Sequence, residues 1–206
     1  MGRTKDPAVR TLLIERAAQM LRTREPITLR SLVAGTCVST MAVYTHFGSM
    51  DGMWKALRQE GFTRLAVGFA AVETSEDPVQ DLATLVIAYL RNALENPDLY
   101  RVMFDANFEL EDAQAADDTL DYLVRAVVRG QEAGRFRADV VARDLATQSW
   151  AIAHGLASLV ATGPLSSEAF DHCPAMLIAL LVSAGDEPDR CRASVDAACA
   201  RSAPLA

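Results

Sequence analysis

Ile27-Thr-Leu-Arg-Ser-Leu-Val33, Ala34-Gly-Thr-Cys-Val38 and Ser39-Thr-Met-Ala-Val-Tyr-Thr-His-Phe-Gly-Ser49 follow one another without interruption. Two short helices are expected here, about Thr28–Gly35 and Ser39–Phe47, joined by a tight break at Gly35-Thr36-Cys37. Thr28 and Ser39 are the residue types whose side-chain oxygens cap a helix N-terminus. Two short helices on a tight turn form a helix-turn-helix, whose second helix enters a DNA major groove while the first crosses the backbone. The exposed side chains of the second helix are expected from Ser39, Thr40, Met41, Val43, Tyr44 and His46. Hydroxyls and a ring nitrogen serve phosphate oxygens or base edges; Met41, Ala42 and Val43 suit a thymine methyl. Phe47, four residues after Val43, is expected in the core.

Outward from this stretch the chain reads as helix after helix. Leu13, Ala17, Met20 and Leu21 recur at helical spacing over about Pro7–Thr23, with Asp6 as cap and Pro7 in the first turn. A longer helix follows Ser49 and carries Met53, Trp54, Leu57, Phe62, Leu65 and Phe69. Further helices are predicted at about Pro78–Glu95, Pro97–Phe108, Asp112–Ala133, Val140–Thr162 and Glu168–Ala184, with Gly134 and Gly163 placed to cap two of them. No region alternates with a two-residue period between hairpin turns, so an all-α fold is expected. The expected division is 1–50 as a three-helix helix-turn-helix domain, 51–185 as a larger helical domain, and 186–206 as a surface tail or loosely docked helix.

The 206 residues are 50% hydrophobic and 23% charged, too apolar for a disordered chain and enough for a real core. The formal net charge of −7 taken alone argues against nucleic acid. Its distribution reverses that argument. Residues 1–64 carry ten basic and five acidic side chains, a net +5; the remainder carries ten basic and 22 acidic, a net −12. Such asymmetry between the parts of a chain is itself a nucleic-acid signal. No apolar run approaches the roughly 20 residues of a membrane span, and the charged amphipathic N-terminus does not read as a signal peptide, so no membrane and a cytoplasmic setting are expected. Cys37, Cys173, Cys191 and Cys199 show no metal-ligand spacing, and reduced thiols are expected.

Ile27-Thr-Leu-Arg-Ser-Leu-Val, with Val38-Ser-Thr-Met-Ala-Val-Tyr-Thr-His-Phe-Gly-Ser-Met-Asp-Gly-Met, resembles the tetracycline-repressor (TetR) family of bacterial transcriptional regulators. The Tyr44–Ser49 run is the most specific part, and the likeness spans about residues 10–57. Trp150-Ala-Ile-Ala-His154-Gly155 looks like the Trp-His-Gly signature of one C-terminal subgroup of that family. The resemblance implies an N-terminal DNA-binding domain and a helical C-terminal domain that dimerises and binds an inducer. It places Thr28, Tyr44 and His46 on the DNA backbone, and Arg30, Ser39, Thr40, Met41 and Ala42 where family members touch bases or nearby phosphates. Arg3 and Lys5 are expected as a basic arm. Two departures stand out: Cys37 where the family usually has Gly in the turn, and Met50 where it usually has a phosphate-holding Lys. A β-carbon resists positive φ, so Cys37 is expected to strain the turn.

For a small-molecule ligand the candidates are Met103, Phe104, Asn107 and Phe108, an apolar stripe with one amide, together with Trp150 and His154 on one helix face. No cofactor, metal set or catalytic constellation is read: there is no phosphate-cradling glycine loop, nucleophile elbow or metalloprotease His pair, so an enzyme is not expected. The reading is a homodimeric regulator, in this family most often a repressor, that binds a palindromic double-stranded DNA operator and is released by a small molecule. Its rival, prompted by Met50 and Cys37, is a helical ligand-binding protein with weak or lost DNA binding.

Overall fold

The structure is a computed structural model that describes residues 6–105, 107 and 109–202. Arg3, Lys5 and Phe108 lie outside the described residues. Among those described there is no strand. The helices are α1 (Pro7–Thr23), α2 (Leu29–Val33), α3 (Thr40–Phe47), α4 (Met50–Ala70), α5 (Pro78–Glu95), α6 (Pro97–Met103), α7 (Ala115–Glu132), α8 (Ala142–Ala161), α9 (Cys173–Ser183) and α10 (Pro188–Arg201). A 3-10 turn, Ser167–His172, precedes α9. The fold is all-α, as expected. The helix predicted over Glu168–Ala184 is divided because Pro174 has no N–H to continue it; the α-helix proper starts around that proline.

The chain divides into two compact units. The first runs to Thr63 and takes back Asn96–Ala115; the second comprises Arg64–Glu95 and everything from Ala116. This differs from a cut at residue 50. Leu99 and Val102 of α6 sit in one core with Leu13, Ile14, Ala17 and Met20 of α1, Leu32, Val43 and Phe47 of the helix-turn-helix, and Met53, Ala56 and Leu57 of α4. In α1, the Asp6 carboxylate accepts from Ala8 N at 2.9 Å, and Pro7 occupies the first turn. Arg16 Nε donates to the Ser31 carbonyl at 3.2 Å, tying α1 to α2.

In the second unit α5 is the central helix, packed against α8 and α10, while α9 packs on α8 and α10. Gly134 and Gly163 follow α7 and α8 at φ 67° and 95°, as their positions predicted. Arg135, only 1% exposed, joins four segments. It donates to Asp186 from Nε (2.6 Å) and Nη2 (2.7 Å), to Asp77 from Nη1 (2.9 Å) and to Ser194 Oγ (3.0 Å). Ser194 Oγ donates in turn to Asp77 at 2.6 Å. Residues 188–201, expected in a tail or loosely docked helix, are thus a packed helix with Cys191, Val195 and Ala198 buried. Its pattern is short and alanine-rich, and only the tertiary ion pair shows how firmly it is held.

Candidate functional site

The recognition element is built from capping and packing. Thr28 and Ser31 form a reciprocal capping box: Ser31 N donates to Thr28 Oγ1 (3.1 Å) and Thr28 N to Ser31 Oγ (2.8 Å). The turn bends at Gly35, φ 72°, where a side chain would be strained. Arg24 is the only described non-glycine residue with positive φ, so the strain expected at Cys37 is absent: the left-handed position lies two residues earlier. Met50, at the start of α4, is half-buried against the first unit's core. The position thus contributes packing where a lysine would contribute charge.

Val43 and Phe47 of α3 are buried, and the Arg10 guanidinium lies 5.5 Å above the Phe47 ring. The expectation that Val43 is exposed is corrected: it is 0% exposed because, four residues before Phe47, it shares that residue's inward face. The outward face carries Met41 (65% exposed) and Tyr44 (47% exposed), with Ser39 beside them and Thr40, Ala42 and His46 half-buried. Arg30 is exposed on α2. Ser39 caps α3 by position but makes no side-chain capping bond. α3 is locked to α4 by a close approach: a β-carbon on Gly52 would lie 1.8 Å from the Phe47 carbonyl oxygen.

The ligand candidates fall in both units. In the first, Met103 is buried over Gly61, and its carbonyl accepts from Arg58 Nε at 2.8 Å. The Phe104 ring meets Phe62 edge-on at 5.8 Å and Tyr100 at 5.1 Å. Asn107 is exposed and donates to Asp105 Oδ1 from its backbone N (2.9 Å) and from Nδ2 (2.8 Å). In the second unit Trp150 and His154 share a face of α8, ring centroids 5.6 Å apart. Tyr89 of α5, missed by the sequence reading, bonds His154 Nδ1 through its hydroxyl at 2.9 Å. Burial lowers the His154 pKa from its ordinary 6.5, favouring the neutral ring, which can accept this bond. Tyr89 lies seven residues after Leu82, a helical spacing that by itself marks only a core face. A cleft of about 280 Å³ lies between the end of α4, α5 and α7, with Tyr122 and the Arg125 guanidinium 4.4 Å above that ring. Among the described residues no group of three or more His, Cys, Asp or Glu can hold a metal ion, and no helix is long and apolar enough to cross a membrane.

A family model described as the tetracyclin repressor-like C-terminal domain matches residues 82–195, more than half of the chain. The chain belongs to the tetracycline repressor-like family. It is a DNA-binding, ligand-binding transcriptional regulator of the helix-turn-helix type and not an enzyme. Solved structures share the fold. A protein of unknown function from Rhodococcus sp. RHA1 is 25% identical, with a TM-score of 0.73 over 86% of this chain and 96% of that one. The TetR family transcriptional regulator PfmR from Thermus thermophilus is 22% identical, with a TM-score of 0.63 over 82% and 97%. RolR in complex with resorcinol is 16% identical, with a TM-score of 0.65 over 96% of each chain. No curated protein sequence matches this TetR-family chain.

Proposed function

We propose that this regulator is a cytoplasmic homodimeric repressor that reads a palindromic operator through α3 and is released by a small molecule. The observation that carries the reading is the open face of α3. Met41 and Tyr44 stand outward, and the side-chain polar groups of Ser39, Thr40, Tyr44 and His46, with Arg30 beside them, have no hydrogen bond to the described protein. Val43 and Phe47 hold the helix from behind. Thr28, Tyr44 and His46 are assigned to phosphates, Arg30, Ser39, Thr40, Met41 and Ala42 to bases and neighbouring phosphates. The unstrained turn at Cys37 supports DNA binding over its loss.

The homodimer is supported by α9, Cys-Pro-Ala-Met-Leu-Ile-Ala-Leu-Leu-Val-Ser, which is apolar almost all round. Such a helix needs cover on every side, yet Ala175, Met176 and Ala179 are exposed, as is Leu159 of neighbouring α8. A second copy meeting the same face satisfies both chains at once. For the effector, Trp150, His154 and Tyr89 supply aromatic surface and a polar group in the second unit, and Met103, Phe104 and Asn107 are carried as further candidates. Release is linkage: an effector that prefers one dimer geometry weakens DNA by its differential affinity, and tenfold needs about 1.4 kcal/mol.

The test is selection of bound duplexes from random-sequence DNA, followed by salt titration and a reporter gene. A palindromic consensus, binding that weakens steeply with salt, and reporter silencing support the reading. Equal retention of all sequences overturns the DNA arm, and reporter stimulation overturns repression.

A further inference from the structure

A second cleft in the C-terminal unit, lined by neither Tyr89, Trp150 nor His154, lies between α5, the 3-10 turn, α9 and α10, with a volume of about 240 Å³. Val86 and Leu90 of α5, Phe170, Leu177 and Val195 form its walls. The thiols of Cys173 and Cys199 also line it; burial pushes the Cys173 thiol up to about 12, so this thiol is a neutral, soft contact surface and not a nucleophile. The walls are built on fixed elements. α10 is anchored by Arg135, Asp186 and Asp77 near its start. At its end the Arg201 guanidinium faces the Gln80 side-chain amide of α5, which, turned with its oxygen toward Arg201, accepts from Nη1 (2.9 Å) and Nε (3.1 Å).

Two polar residues complete the lining. Ser202 brings a hydroxyl, and exposed Asp171 is the only charged residue among the described residues lining the cleft. Arg201, next to Ser202 in sequence, faces the Gln80 amide of α5. The unit that holds the cleft carries ten basic and 17 acidic side chains, a net −7, which enriches cations around it. The cleft is a little smaller than the roughly 300–1,000 Å³ of drug-sized pockets, so it suits a fragment-sized molecule.

We propose that this cleft is a binding site for a small apolar molecule bearing one protonated amine, its body among Val86, Leu90, Phe170 and Leu177 and its ammonium toward Asp171. The site is separate from the effector residues assigned above and requires neither DNA nor the dimer.

The experiment measures binding of benzylamine, benzyl alcohol and benzoate to the full chain by ligand-detected NMR titration. Two variants follow: Ser202→Trp, which fills the cleft from its rim, and Asp171→Asn, which removes the charge without changing volume. Saturable benzylamine binding about two- to fivefold tighter than benzyl alcohol is expected, the scale of an exposed ion pair. Benzoate is weakest. Ser202→Trp, checked for folding by circular dichroism, abolishes binding of all three. Asp171→Asn erases the amine's advantage and keeps the alcohol's affinity. Absence of saturable binding overturns the site, as does binding unchanged in a folded Ser202→Trp protein. Benzoate matching benzylamine overturns the assigned ligand class. None of these readouts involves DNA, so their failure leaves the operator reading standing.

Discussion

The Tyr44 hydroxyl and the Arg30 guanidinium are both open to a phosphate, but they would contribute differently. Hydrogen bonds to charged groups are worth about 1.5–3 kcal/mol. Tyr44→Phe is therefore expected to weaken operator binding by roughly ten- to hundredfold per subunit with the salt slope unchanged. Arg30→Ala should lower the steepness of the salt dependence by about one unit per subunit if it neutralises a phosphate. Salt titrations of both variants by fluorescence anisotropy check this, and a Tyr44→Phe protein of full affinity removes Tyr44 from the interface. Gly52 is a different kind of residue. An alanine in a helix ordinarily stabilises by up to about 1 kcal/mol over glycine, but here its β-carbon would meet the Phe47 carbonyl at 1.8 Å. Gly52→Ala should instead destabilise the first unit by about 1–3 kcal/mol, an overpacking cost, read by urea denaturation. At His154 the folded-state pKa is depressed below 6.5. The unfolded chain therefore takes up this proton first, and the stability His154 contributes is full above about pH 6.5 and is lost as pH falls through the folded value. His154→Gln should flatten that part of the stability–pH curve, which comparison of urea midpoints at pH 7.5 and 5.5 tests. The motif residues around Tyr44 were legible because local spacing and hydroxyl chemistry mark them. Val43 and Cys37 were misjudged because inward rotation and the site of positive φ are set by packing, which the residue types alone do not state.

Among elements, α10 shows most clearly what a pattern hides. Its α-helix is announced by Pro188 and by Glu187, whose carboxylate accepts from Asp189 N (3.1 Å) and Arg190 N (2.7 Å). Its docking depends on Arg135 and Asp186, 51 residues apart in sequence, and no local periodicity pairs them. Burial opposes ionisation of Asp77, but the Ser194 hydroxyl, the backbone N–H groups of Gln80 and Val79 and the Arg135 charge together hold its pKa below 3.8. Removing one partner of a buried ion pair leaves the other uncompensated, at about 3–5 kcal/mol. Asp186→Ala should therefore cost that much and strip hydrogen-exchange protection from the α10 amides. Arg135→Met combined with Asp186→Leu should recover part of the loss, because the fully buried ion pair is gone and half-buried Asp77 keeps the Ser194 hydroxyl and the Gln80 and Val79 N–H groups. If Asp186→Ala keeps its α10 protection, the anchor lies elsewhere. α6 makes the same point in the first unit: its sequence reads as a helix after Asn96-Pro97, but nothing local says that Leu99 and Val102 join a core of residues 42 to 89 positions upstream.

At the scale of the molecule, charge and apolar surface divide the labour. The +5 lies in residues 1–64, which hold the helix-turn-helix. Arg64 falls in the second unit, and Asn96–Ala115, which joins the first, adds one basic and five acidic side chains, so the first unit is balanced at ten of each and the second, with α8 and α9, carries the net −7. A single α3 reads one half-site, so specificity for a palindrome requires two copies held at fixed spacing. The surface proposed to hold them is an apolar face that the second unit leaves open: Leu159 of α8 and Met176 of α9 are each 43% exposed, with Ala175 and Ala179 also exposed on α9. A carboxylate placed there would face its own symmetry copy across a closing apolar interface, and uncompensated buried charge is strongly unfavourable. Met176→Glu, with Leu159→Glu as an independent second variant, is expected to fold as the parent does but sediment as a 22.3 kDa monomer where the parent sediments at twice that mass. Operator affinity should fall by at least a hundredfold, because the second half-site contact then ceases to be intramolecular and loses its effective concentration. Sedimentation velocity and operator titration on the same samples separate the two effects. Variants that remain dimeric would move the interface off α8 and α9, whereas monomers that retain parental operator affinity would show that one recognition helix suffices.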